Sequence, residues 1–123
     1  MEHIPLTGPL EPRIGRWLLD RLVGSAVRYG HPFAVVLART PDRAGTAARF
    51  ATVLRGADLV VEWEPGQLLV LLPDTAEGGA ARAAERLGAA APESSLSAVS
   101  WSGDLADDLL ERAASGLGAI TPR

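Results

Sequence analysis

The sequence predicts an α+β fold: a four-stranded antiparallel sheet in the ferredoxin-like order β-α-β-β-α-β, with an added helix at each end. Three observations predict it. Two apolar runs flank Pro65-Gly66 and read as a β-hairpin. Pro presets φ for the first central residue of a turn, and Gly accepts positive φ at the second, so the turn is of type I or II. Segments of helical period alternate with short apolar runs on both sides of that hairpin. Finally, Leu68-Leu69-Val70-Leu71-Leu72 is apolar at every position, so both faces of this strand must be covered.

The elements follow in order. Leu6-Thr7-Gly8-Pro9 reads as a turn. A helix is expected from about Pro12 to Tyr29, because Pro suits a first turn, where no internal N–H bond is lost. Its apolar face is read as Ile14, Leu18, Leu22 and Ala26, with Leu10 and Trp17 beside it. Gly30 ends it. Phe33 to Ala38 reads as a buried strand, and Thr40-Pro41-Asp42 as a turn. Asp42 to Leu54 reads as a helix with Ala48, Ala51, Val53 and Leu54 inward. The hairpin follows, with strands at Leu59–Trp63 and Gln67–Leu72. Asp74-Thr75-Ala76-Glu77 resembles a capping box, and its helix runs to about Leu87 with Ala81, Ala84 and Leu87 inward. Gly88 is placed to end that helix, before a loop to Glu93. Ser95 to Trp101 alternates like an edge strand, and Asp104 to Leu117 forms the last helix on a stripe of Leu105, Leu109, Ala113 and Leu117. The C-terminal Ile120–Arg123 is expected to fray.

Composition narrows the function. A chain of 123 residues suits one domain, 1–123. No run approaches the length of a membrane span, and Met1-Glu2-His3-Ile4-Pro5 lacks the pattern of a signal peptide, so a cytoplasmic location is expected. Cysteine is absent, which excludes disulfides and thiolate metal sites. A net charge of −3 gives no electrostatic footprint for nucleic acid. Every basic residue is Arg and none is Lys, which reads as composition bias.

One stretch carries a family resemblance. The order Arg55-Gly-Ala-Asp58, strand, tight turn, apolar strand, Leu72-Pro73-Asp74-Thr75 is similar to that of the GGDEF family of diguanylate cyclases. Pro5 to Arg13 resembles a worn copy of the segment that often opens that family. The positions matching the family signature hold Glu64-Pro65-Gly66-Gln67-Leu68. The resemblance implies a palm-like fold, bacterial cyclic di-GMP signalling, and a degenerate, shortened domain. Joining two GTP molecules needs carboxylates that hold Mg²⁺ against phosphate. The matching positions here are Arg39 at the end of the first strand and Gly66 in the turn; Gln67 replaces a glutamate. Only 15 residues separate Arg39 from Arg55, so the guanine-reading segment of the family is read as deleted. No cyclase activity, catalytic residue, cofactor or metal is therefore expected.

Two functions from different classes remain. The first is a protein-interaction or dimerisation module that keeps the fold as a scaffold. The second is a cyclic di-GMP receptor, because the resemblance makes Arg55 and Asp58 a product-binding site: Arg can fork onto guanine or phosphate, and Asp can accept from guanine N–H groups. The plain alternative for that pair is a solvated helix-end cation and a strand-start acid. His31 has no second His or Cys nearby, and neither His3 nor His31 has an evident Ser or Asp partner. Trp17 is expected in the core or at a helix edge; Trp63 and Trp101 are expected to be partly exposed. Asp104, Asp107, Asp108 and Glu111 are read as complements to a helix dipole.

Overall fold

The computed structural model describes residues 9–117. His3, the Leu6-Thr7-Gly8 turn and the C-terminal Ile120–Arg123 lie outside them. Eight elements follow one another: α1 (Pro12–Tyr29), β1 (Phe33–Arg39), α2 (Arg43–Ala51), β2 (Leu59–Glu62), β3 (Gln67–Pro73), α3 (Glu77–Ala90), β4 (Ser95–Ser100) and α4 (Ala106–Leu117). The strands form one sheet in the order β2-β3-β1-β4, and every neighbouring pair is antiparallel. The expected β-α-β-β-α-β core with a helix at each end is the architecture found.

Helices cover both faces of the sheet, which explains the uninterrupted apolar run of β3. Leu69 and Leu71 pack with Val35, Leu37 and Val61 under α1 and α4. Leu68, Val70 and Leu72 pack with Ala34 and Val36 under α2 and α3. All five residues from Leu68 to Leu72 are buried. Each such side chain stabilises the fold by about 2 kcal/mol relative to exposure. The sheet edges are β2 and β4. Leu10 lies along β2, donating its N–H to the Val60 carbonyl at 2.9 Å and accepting from the Glu62 N–H at 2.8 Å.

The helix bounds and facings differ from expectation in specific ways. The buried row of α1 is Gly15, Leu19 and Ala26, with Leu18 and Leu22 half-buried beside it. Ile14 and Trp17 are exposed, at 41% and 58%. Gly15 sets this facing: a Cβ there would sit 2.2 Å from Val61 Cγ1, so the helix lies on β2 at a residue without a side chain. α2 is shorter than expected and turns Thr46, Ala47 and Phe50 inward, leaving Ala48 and Ala51 exposed. The large apolar Phe50 decides the facing over the small alanines. α3 buries Ala80, Ala83 and Leu87 rather than Ala81 and Ala84. It runs through Gly88 to Ala90, because Gly88 does not take the left-handed conformation that would end it. No capping box forms: Ala76 stands at the cap, Asp74 takes φ 52°, and the Thr75 hydroxyl turns to the Pro73 carbonyl. α4 begins at Ala106, which is buried, so Leu105 falls before the helix and is 71% exposed.

Candidate functional site

Two regions were singled out by sequence: the hairpin turn and the Arg55-Asp58 pair. At the turn, Gly66 has φ 75° and the Gln67 N–H donates to the Glu64 carbonyl at 2.8 Å. With Pro65 before it, this is a type II turn. The end of β1 meets the turn: Arg39 is paired across from Gln67, and the Thr40 N–H donates to the Gly66 carbonyl at 2.9 Å. The fold thus brings Arg39, Gly66 and Gln67 together in space. Arg43 closes the turn from α2, donating to the Glu64 carbonyl at 3.1 Å and lying 3.6 Å from Glu62. The positions that match the family's metal carboxylates hold a guanidinium and a glycine, and the carboxylates near the turn are those of Glu62, beside Arg43, and Glu64. Among the described residues no group of three or more His, Asp or Glu comes together as a metal site.

Arg55 and Asp58 lie in the connection between α2 and β2. The Asp58 side chain is fully buried, while Arg55 keeps 55% of its side-chain surface exposed. Asp58 Oδ2 accepts the Arg55 backbone N–H at 3.0 Å, and the Arg55 guanidinium reaches both carboxylate oxygens at 3.3–3.4 Å. The same guanidinium donates to Thr75 Oγ1 at 2.7 Å and to the Pro73 carbonyl at 3.1 Å. One side chain therefore ties the β2 entrance to the β3–α3 loop.

The pair forms one wall of an open cavity of about 320 Å³, which also takes in Thr75, Gly79, Arg82 and Arg86. Arg82 and Arg86 stand one turn apart on α3 and form no ion pair among the described residues. Arg86 donates only weakly, to the Val53 carbonyl at 3.4 Å. Three guanidinium groups and two carboxylates, Asp58 and Asp74, thus border one hollow; the Asp58 charge is already engaged by Arg55, which leaves an excess of positive charge. Such a site recognises an anion with hydrogen-bond acceptors, such as a phosphodiester. Arg82 and Arg86 were not singled out from sequence. Their i,i+4 spacing just after Leu72-Pro73-Asp74-Thr75 was the available signal, but nothing local tied it to Arg55.

The remaining candidates are structural. Trp101 stacks on Phe33 with ring centroids 6.2 Å apart and donates Nε1–H to the Asp104 carbonyl at 2.9 Å. Trp63 is half-buried against the core between α1, α4 and the sheet. Asp104 holds Arg112 through two hydrogen bonds of 2.9 and 3.0 Å, which keep its carboxyl well below the usual range, at about 2. His31 does have a serine partner, against expectation: Ser25 Oγ lies 2.8 Å from Nδ1, because Gly30, with φ 75°, folds the chain back after α1. The pair is exposed and no carboxylate among the described residues orients the ring.

No family model matches the sequence, and no curated protein matches it significantly. Solved structures do. The diguanylate cyclase SiaD of Pseudomonas aeruginosa, solved with its activator SiaC, superimposes with a TM-score of 0.83 at 19% identity. That match covers 94% of this chain and 56% of the SiaD chain, so this chain spans little more than half of that protein. The GGDEF domain of YfiN (TpbB) from Pseudomonas aeruginosa gives 0.77 at 21% identity, covering 94% and 86%. The GGDEF domain of DgcB from Caulobacter crescentus, solved with c-di-GMP, gives 0.82 at 12% identity, covering 97% and 92%. The chain has the fold of GGDEF domains. No helix among the described residues is long and apolar enough to cross a membrane.

Proposed function

We propose that this chain is a non-catalytic signalling domain of GGDEF fold that binds cyclic di-GMP in the cavity of Arg55, Asp58, Arg82 and Arg86. The observation that carries the reading is the convergence of three guanidinium groups on one hollow, where they outnumber its two carboxylates, the buried Asp58 and the exposed Asp74. The ligand supplies what the site lacks: phosphates for Arg82 and Arg86, and guanine edges for Arg55 and the adjoining acceptors. At the turn, Arg39, Gly66 and Gln67 offer neither a metal carboxylate nor a general base, which supports the absence of cyclase chemistry. Calorimetric titration of the protein with cyclic di-GMP, beside Arg82→Ala, tests the reading. Saturable binding that the variant weakens about tenfold or more is expected. No heat up to millimolar ligand, with the protein folded, removes it. Incubation with GTP and Mg²⁺ yielding cyclic di-GMP refutes the loss of catalysis.

A second reading, that the domain self-associates, rests on Trp17. It is 58% exposed on the outer face of α1, with the Arg21 guanidinium 5.2 Å from its ring centroid. An exposed Trp-Arg pair is the composition of protein interfaces.

A further inference from the structure

The outer faces of α1 and α4 carry opposite charge. α1 holds Arg13, Arg16, Arg21 and Arg28 against Asp20 alone; α4 holds Asp107, Asp108 and Glu111 against Arg112 alone. At about 100° per residue, Trp17, Arg21 and Arg28 fall within about 40° of one another. They lie opposite the buried Gly15, Leu19 and Ala26 row. By the same rule Asp108 and Glu111 point away from the buried Leu109 and Ala113. All five of these outward residues are exposed. Both helices cover the same face of the sheet, and one ion pair already joins them there: Arg16 Nη1 to Asp107 Oδ1 at 3.0 Å. Arg112 is held back by Asp104 and does not offset the acids.

We infer that this face pairs with a second copy of itself, α1 of one copy lying on α4 of the other. The inference rests on the self-association reading and supplies its geometry. A two-fold axis lying in the plane of the face and passing between the helices sets each basic helix against an acidic one, twice. The alternative two-fold, α1 on α1, sets Arg21 and Arg28 against themselves and is repelled. Trp17 supplies apolar surface within this face. Arg21, stacked on the Trp17 ring, brings its charge to the contact already positioned.

Charge reversal in sedimentation equilibrium tests the arrangement. Arg21→Glu with Arg28→Glu makes both faces acidic; Asp108→Arg with Glu111→Arg makes both basic. The wild type is expected to dimerise, more weakly as salt rises. Each double variant alone is expected to weaken dimerisation about tenfold or more, and an equal mixture to restore it as a heterodimer. These residues are exposed, and circular dichroism checks that both variants fold. A wild-type dimer that neither variant weakens overturns the α1-on-α4 pairing but keeps self-association through another face. A mixture that stays monomeric while the wild type dimerises also overturns the pairing. A wild type monomeric up to millimolar concentration overturns the pairing and self-association together.

Discussion

The Asp58 carboxylate is fully buried and accepts the backbone N–H of Arg55 at 3.0 Å, while the Arg55 guanidinium that grips it stays about half in water. The two residues therefore divide their work. Asp58 closes the turn into β2, and Arg55 presents charge to the cavity. Asp58→Ala is expected to destabilise the fold by about 2 kcal/mol, the loss typical of a buried, charge-assisted hydrogen bond. Asp58→Asn keeps an oxygen for the same N–H and should lose about half as much. Urea unfolding of the three proteins checks this. Equal losses for Ala and Asn would show that charge, rather than the turn hydrogen bond, holds the segment.

Two glycines on α1 make opposite predictions. A Cβ at Gly15 meets Val61 at 2.2 Å, whereas nothing lies within 4 Å of one at Gly24. Gly15→Ala forces α1 off β2 and is expected to cost about 1–3 kcal/mol, as overpacking does. Gly24→Ala gains helix propensity and should stabilise by about 0.5–1 kcal/mol. Thermal unfolding separates them by sign. A stabilised Gly15→Ala would mean that the helix does not rest on Val61.

Gly66 is needed for its backbone. Its φ of 75° places it at the third position of a type II turn, where a Cβ costs about 1–2 kcal/mol. Space is not the obstacle, since the nearest atom to an added Cβ is 3.7 Å away. Gly66→Ala should therefore lose about this backbone amount and no more, as urea unfolding measures, whereas a steric site would add a clash on top of it. Asn, which tolerates this conformation, should recover part of the loss.

The fold was legible because its strongest signals are local. Pro65-Gly66 dictates the hairpin, and the unbroken run from Leu68 to Leu72 demands two covered faces. Helix facing was less legible where alanines crowd a helix. On α2, Ala48 and Ala51 offered as good a stripe by spacing as Thr46, Ala47 and Phe50, and the burial of Phe50 against the sheet decides. On α1 the deciding residue is Gly15, which has no side chain to register as apolar. The pair Arg55-Asp58 was visible as a motif. Arg82 and Arg86 were not, because they reach the same cavity from α3 through tertiary packing alone. Ser25 and His31 meet for a similar reason, through the left-handed turn at Gly30.

The β4–α4 corner gives a pH signature. Asp104 is held at about 2, first by its hydrogen bonds to Arg112 and also by the Ser102 N–H, against an ordinary value of 3.8. A folded value below the unfolded one means that this carboxylate stabilises the fold only while ionised. Its contribution is present in full above about pH 4 and is lost as the pH falls towards 2. Asp104→Asn never ionises, so it should be less stable than the wild type at pH 6, and the gap should close between pH 4 and pH 2. Urea midpoints for both proteins across that range measure the gap directly. Other carboxylates titrate in both proteins alike and cancel in the difference. A gap that stays constant down to pH 2 would show that Asp104 acts through its shape, accepting from Ser102 and Arg112 equally well without charge.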